Sequence, residues 1–199
     1  AALGQAFSHP SYVFLVLGFF TCGFQLAFVT THLPAYLTDR GLSITIGGWT
    51  LAVIGLGNMV GSLSSGWMSA RFSRRLVLAW IYFARGVVIL AFSLLPASPV
   101  TSIGFGIAIG LLWLSTVPPT SGLVMLMFGT RYLAMLYGFA FFSHQVGGFL
   151  GVWLGGIVFD KFGSYTPIWW LSVLFGVLSA LINLPIVEKP VERAVAQPA

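Results

Sequence analysis

The sequence predicts an all-α membrane protein of six transmembrane helices, and three observations carry that prediction. First, the 199-residue chain is 58% hydrophobic and 7% charged, with a mean hydropathy of +0.97. So few charges cannot keep water off so much apolar surface, which excludes a soluble domain. Second, apolar runs long enough to cross hydrocarbon occur at roughly 12–36, 45–69, 76–96, 101–127, 132–158 and 166–186. Third, twelve of the thirteen Lys, Arg, Asp and Glu residues lie between or outside those runs, and only Arg85 does not. Spans of this kind must satisfy their backbone hydrogen bonds internally, so each reads as a helix.

The chain divides into a lead-in (1–11), a six-helix bundle (12–187) and a tail (188–199). The lead-in starts with Ala1, and AALGQAFSHP has neither a basic region nor a cleavage site, so it is not a signal peptide. The expectation is a piece of something longer. The first span places Thr21, Gln25, His32 and Tyr36 on one helical face, and the lone cysteine, Cys22, allows no intrachain disulfide. The second span holds Gly55, Gly57, Gly61 and Gly66 with Asn58; the third holds Arg85. The fourth carries Pro118-Pro119, which predicts a kink or break and, after it, free amides at Thr120-Ser121-Gly122, a candidate anion site. The fifth combines Tyr137, His144 and Gln145 with a stripe at Gly147, Gly151 and Gly155, which reads either as tight static packing or as a sliding surface. The sixth opens with Trp169-Trp170, expected in an interfacial belt; Trp113 and Trp153 read as packing. The tail, with the sequence VEKPVERAVAQPA from residue 187, reads as a short disordered cytoplasmic end.

An internal repeat is visible. Gly66, Arg71, Phe72 and Ser73 at the end of the second span align with Gly156, Lys161, Phe162 and Gly163 at the end of the fifth, at one offset of 90 residues. Three spans separate the copies, so they face opposite sides of the membrane: a three-plus-three repeat of inverted topology, as in many secondary transporters. Orientation follows from the cations. Arg71, Arg74, Arg75, Arg131, Lys189 and Arg193 share the side of both termini, against Arg40 and Lys161 opposite, so both termini are expected to be cytoplasmic. The cations are scattered over short loops, which argues against nucleic-acid binding.

A guanidinium at mid-span costs at least ~2.5–3.5 kcal/mol, so Arg85 is expected to face a polar cavity or an internal partner. Gln25, Asn58, His144 and Gln145 are the other candidate solute contacts, and His144 is a candidate proton carrier because imidazole titrates near neutrality. The competing reading gives each polar group a hydrogen bond to a neighbouring helix, worth ~0.6–2 kcal/mol. For Arg85 the rival is a lock on backbone carbonyls.

The stretch Gly66-Trp-Met-Ser-Ala70-Arg71-Phe-Ser73-Arg74-Arg75 resembles the loop signature of the major facilitator superfamily, roughly Gly-x-x-x-Asp-Arg-x-Gly-Arg-Arg. WLSTVPPTSGLV (113–124) and FFSHQVGGFLGVWLGGIVFDKFGSY (141–165) resemble the second half of bacterial members near the monocarboxylate and oxalate/formate carriers. The resemblance covers the whole chain as helices seven to twelve of a twelve-helix transporter. It implies that Gly66, Arg71, Arg74 and Arg75 form a conformational-switch loop. Two departures stand out: Ala70 replaces the signature Asp and Ser73 replaces its Gly. The second span also lacks the Arg that those carboxylate carriers place on their eighth helix.

The expectation is therefore half of a secondary active transporter in a bacterial inner membrane, moving a small organic solute, an anion such as a monocarboxylate, by alternating access. Its partners would be the solute, a coupling proton, the bilayer and an N-terminal six-helix half. No motif calls for a nucleotide, another cofactor or a metal. Two alternatives come from other classes: a non-transporting six-helix scaffold or receptor, and a rhomboid-like serine protease using Ser121 and His144. Against the protease, position 119 is Pro where Gly is needed, the His lies on the fifth span, and the repeat goes unexplained.

Overall fold

The structure, a computed structural model, describes residues 2–191, and among them every regular element is helical. The helices are α1 (Ala2–Phe7), α2 (Pro10–Asp39), α3 (Ile44–Arg71), α4 (Arg74–Leu94), α5 (Pro99–Leu111), α6 (Val117–Phe128), α7 (Leu133–Phe162) and α8 (Thr166–Asn183), with one 3-10 turn at Thr130–Tyr132. Five of the six expected spans are continuous helices, or nearly so, long and apolar enough to cross a membrane. The fourth is two shorter apolar helices, α5 and α6. Arg193 and the reading of residues 192–199 as disordered lie outside the described residues.

Local chemistry sets the ends. Proline opens α2 and α5, where its missing N–H costs nothing. Ser98 and Thr101 form a reciprocal capping box before α5. Gly163, at φ 62°, closes α7 in a left-handed conformation that any side chain would strain. Several helices run a turn beyond the apolar windows, because hydropathy marks the hydrocarbon-crossing part while the backbone continues to its cap. The lead-in holds α1 and the first residues of α2.

The repeat is written into the packing. α2 packs most extensively on α7, α3 on α5, and α4 on α8. Under an inverted repeat the first pairing is the image of the second, and the third maps onto itself. The close approaches agree. A methyl group on Gly147 would strike the Phe20 carbonyl, and one on Gly57 would lie 3.2 Å from Gly110. These two contacts are images at an offset of 90 residues. Gly86 and Gly176, also 90 apart, meet each other: a methyl on Gly176 would sit 3.0 Å from the Gly86 Cα. Association in lipid depends on such close packing rather than on hydrophobic burial.

α2 is the central helix, burying Tyr12, Phe19, Phe24, Phe28 and Leu33, while α3 and α7 turn much of their surface outward. The stripe at Gly147 and Gly151 lies against α2 backbone at Phe20 and Phe24, so these glycines pack within the bundle. Trp169 departs from its expected place. It is buried in an aromatic cluster with Phe28, Tyr36, Phe92 and Phe105, and Trp170 alone faces outward. Trp113 is buried as expected; Trp153 is exposed and stacks on Phe149.

Candidate functional site

The site grows out of the interruption between α5 and α6. Pro118 and Pro119 have no N–H to offer the carbonyls four residues upstream, those of Leu114 and Ser115. The helix therefore comes apart just before the prolines, over residues 112–116, and the prolines fall in the first turn of α6. Thr120 N–H returns to the Thr116 carbonyl at 3.1 Å, so the expected row of free amides at Thr120-Ser121-Gly122 does not form. The gap lies N-terminal to the prolines because their fixed φ suits a helix start.

In hydrocarbon each backbone group left open costs several kcal/mol, and side chains from three helices close this gap. Arg85 on α4 donates through Nη2 to the carbonyls of Leu112 (2.5 Å) and Trp113 (2.7 Å). Ser65 on α3 donates to the Ser115 carbonyl that Pro119 orphans. Asn58 Oδ1, also on α3, accepts the Leu114 N–H at 3.1 Å. Val117 N–H reaches the Leu114 carbonyl at 3.0 Å. Cys22 on α2 brings its Sγ to 3.3 Å from Thr116 Oγ1.

Arg85 also binds the centre of the bundle. Its Nη1 donates to Gln25 Oε1 on α2 at 3.3 Å, and Gln25 Nε2 donates to the Ser172 carbonyl on α8 at 2.8 Å. The guanidinium lies over the Tyr82 ring, 5.6 Å from its centroid. Arg85 is fully buried, and its Nε has no hydrogen-bond partner. Among the described residues the carboxylates are Asp39, Asp160 and Glu188, all at helix ends or beyond α8. Among the described residues no carboxylate lies beside Arg85; its guanidinium is met by carbonyl and amide dipoles, by the Tyr82 ring and by the nearby Cys22 thiol.

Of the expected site residues, Arg85, Gln25 and Asn58 converge on the break. Gln145 does not join them, and His144 reaches the break only through its contact with Cys22. His144 Nδ1 lies 3.1 Å from Gln145 Oε1, its ring stacks on Phe141 and tilts against Phe19, and its Nε2 is buried without a hydrogen bond. Gln145 is exposed on the outward face of α7. His32, half-buried, contacts the Val152 carbonyl at 3.0 Å. Ser65 and Cys22 were missed. Ser65 sits two helical turns from Asn58, so a shared face was legible; Cys22 gave no signal beyond lying three residues from Gln25.

The loop that the sequence marks as a candidate switch sits at the end of the bundle where both terminal segments meet. Arg71 stacks on Trp67 at 4.5 Å, and Gly66 lies near Pro118. Arg75 Nη1 donates to the carbonyls of Leu184 (3.1 Å) and Ile186 (3.2 Å) after α8. Glu188 accepts from Ser73 Oγ (2.5 Å) and from Arg75 N–H (2.9 Å). Burial would raise this carboxyl, but the Ser73 hydroxyl, the N–H groups of Arg75 and Arg74 and the Arg74 charge outweigh it and hold it below its ordinary value. Val187 N–H donates to Ser11 Oγ and Val191 N–H to the Met127 carbonyl, so residues 187–191 strap α2, α4 and α6 together. Ser121 Oγ donates to the Pro118 carbonyl in its own helix while His144 pairs with Gln145, so the protease reading finds no assembled dyad.

A family model described as Major Facilitator Superfamily matches residues 13–199. The chain is also 33% identical over 181 residues to the "Uncharacterized MFS-type transporter YcxA" of Bacillus subtilis (strain 168). That match covers 88% of this chain and 44% of the relative, so the chain spans less than half of the relative's length.

Proposed function

Because this chain belongs to the major facilitator superfamily, we propose that it is the C-terminal six-helix half of a secondary active transporter for a small organic anion such as a monocarboxylate. The transporter sits in a bacterial inner membrane with both ends of this segment cytoplasmic, and it works by alternating access between this bundle and an N-terminal half. The observation that carries the reading is Arg85: a fully buried cation, with no carboxylate beside it among the described residues, next to a broken helix. Such breaks are where secondary transporters expose backbone to solute near the midplane.

In this reading Arg85 supplies the positive field, and Gln25 and Asn58 exchange a protein hydrogen bond for one to the solute when the break opens. His144 and Gln145 sit on a separate face of α7, where they meet solute or a coupling proton at the junction with the other half. Gly66, Arg71, Arg74 and Arg75 form the loop that shifts as the halves rock.

The test is uptake of radiolabelled monocarboxylates and of a neutral sugar into proteoliposomes carrying the complete protein. Carboxylate uptake lost in Arg85→Gln, with folding intact, is the expected result. Uptake and pH dependence unchanged by Arg85→Gln would reduce Arg85 to a structural clamp. Sugar uptake without carboxylate uptake would overturn the substrate class.

A further inference from the structure

Cys22 and Arg85 meet at one backbone oxygen. Arg85 Nη2 donates to the Trp113 carbonyl at 2.7 Å, and Cys22 Sγ lies 4.0 Å from the same carbonyl oxygen. Both side chains are fully buried. The sulfur also lies 3.3 Å from the buried Thr116 Oγ1, whose O–H can donate to it, and Tyr82 reaches Thr116 as well. From α7, His144 reaches the same sulfur, and its Nε2 has no other hydrogen bond. Its Nδ1 lies against the exposed Gln145, so one imidazole separates the thiol from the open face of α7.

Intramembrane charges pair with an opposite charge or with backbone carbonyls. Arg85 has the carbonyls, and among the described residues no carboxylate joins them. Few other groups could supply an anion. Arg85 and Tyr82 face Cys22 from α4, and His144 and Tyr137 face it from α7. Helices α5, α6 and α8 carry no titratable side chain, and α3 carries only Arg71, at its end. Of the acids in this set a thiol ionises before a phenol, at an ordinary pKa of about 8.5 against about 10. At an offset of 90 residues Arg85 corresponds to Phe175 and Cys22 to Leu112, so the repeated scaffold requires neither group.

We propose that Cys22 is the counter-ion of Arg85: a thiolate in the solute-free site, and the group that takes up a proton when a solute carboxylate replaces it. The S–H bond breaks, its proton passes to His144 Nε2 and leaves to water from the partly exposed ring. The electron pair stays on sulfur, with the Thr116 O–H donating to it. When a carboxylate reaches Arg85 the same steps run backwards. A proton then enters with each anion, and the net charge of the site does not change. This exchange rests on the anion-carrier reading, whereas the thiolate itself does not.

The complete protein in detergent is followed by the ultraviolet absorbance of the thiolate, with Cys22→Ser as the blank that cancels tyrosines and any other cysteine. An ordinary thiol is ionised by only about 3% at pH 7; the expected difference is most of a full thiolate. Arg85→Lys should keep that band and Arg85→Gln should lose it, with folding checked by the thermal midpoint. In proteoliposomes, uptake of radiolabelled monocarboxylates should rise with an inward proton gradient, and Cys22→Ser should lose that dependence. No band at pH 7, a band that survives Arg85→Gln, or a gradient dependence unchanged in Cys22→Ser overturns the proposal. A band without any carboxylate uptake would instead overturn the anion-carrier reading and the exchange, and the counter-ion pair would stand.

Discussion

Arg85 Nη2 lies 2.7 Å from the Trp113 carbonyl oxygen and 2.5 Å from that of Leu112, so one guanidinium nitrogen closes two backbone groups left open where α5 ends. The residue that the sequence marks as expensive is the one that makes a broken helix tolerable in hydrocarbon. Lock and functional cation are therefore compatible readings of Arg85, and its substitution should show both effects.

Arg85→Leu removes donors from two buried carbonyls and should destabilise the bundle by several kcal/mol, the scale of unsatisfied groups in lipid. Arg85→Lys keeps the charge but not the planar fork, and should recover only part of that loss. Unfolding of the complete protein in mixed micelles would rank native above Lys above Leu. Equal stability of all three would mean that the carbonyls find other partners.

Ser65→Ala orphans the Ser115 carbonyl without touching the charge. Its cost should fall near 0.6–1.7 kcal/mol, the range of interhelical hydrogen bonds in membranes. Measured beside Arg85→Leu in a double-mutant cycle, it should prove non-additive, because both side chains hold one five-residue gap.

Gly176→Val should be far more damaging than Gly4→Val. A methyl group at 176 already sits 3.0 Å from the Gly86 Cα, whereas one at 4 meets nothing within 4 Å. The expected cost of the overpacked site is about 1–3 kcal/mol or more. Expression level and thermal midpoint in detergent would report it, and a tolerated Gly176→Val would mean that α4 and α8 pack further apart.

The strap formed by residues 187–191 should loosen in acid. The Glu188 carboxyl sits below its ordinary value of 4.5 in the folded chain, so its contribution is fully present above that value and is lost as the pH falls through the lower, folded one. A spin label at Lys189→Cys, in a Cys22→Ser background, should become more mobile over that interval. Glu188→Gln should remove the pH dependence, and mobility that ignores pH in both would detach the strap from Glu188.

Cys22 should resist N-ethylmaleimide in this conformation, since it is fully buried. A Met59→Cys, Cys22→Ser control on the exposed face of α3 should be modified in the same interval. Labelling of Cys22 that appears only during transport would mean that the gap between α5 and α6 opens in the working cycle.

The overall architecture was legible because its causes are local. Span number follows from apolar run length, and the repeat from Gly66 and Phe72 recurring as Gly156 and Phe162, with Arg71 matched by Lys161, at one offset. The break was foreseen at Pro118-Pro119 but not its position, since a proline pair reads equally as the end of one helix or the start of the next. Asn58, Gln25 and Arg85 stood out as polar residues in apolar runs. What periodicity could not supply was which neighbour each one meets, and that depends on the pairing of helices far apart in sequence. Trp169 was misplaced for the same reason: its position at a helix start suggested an interface, while the fold rotates it into Phe28, Tyr36 and Phe92.

The pairing of α2 with α7, α3 with α5 and α4 with α8 has a consequence for biosynthesis. Each of these joins one repeat to the other, so the first three spans leave the ribosome without their principal partners. Arg85 leaves the ribosome before the carbonyls of Leu112 and Trp113 do. The nascent chain must shelter that charge for the time needed to synthesise the next span, which makes α4 the point where an insertion chaperone, or the translocon itself, is most needed.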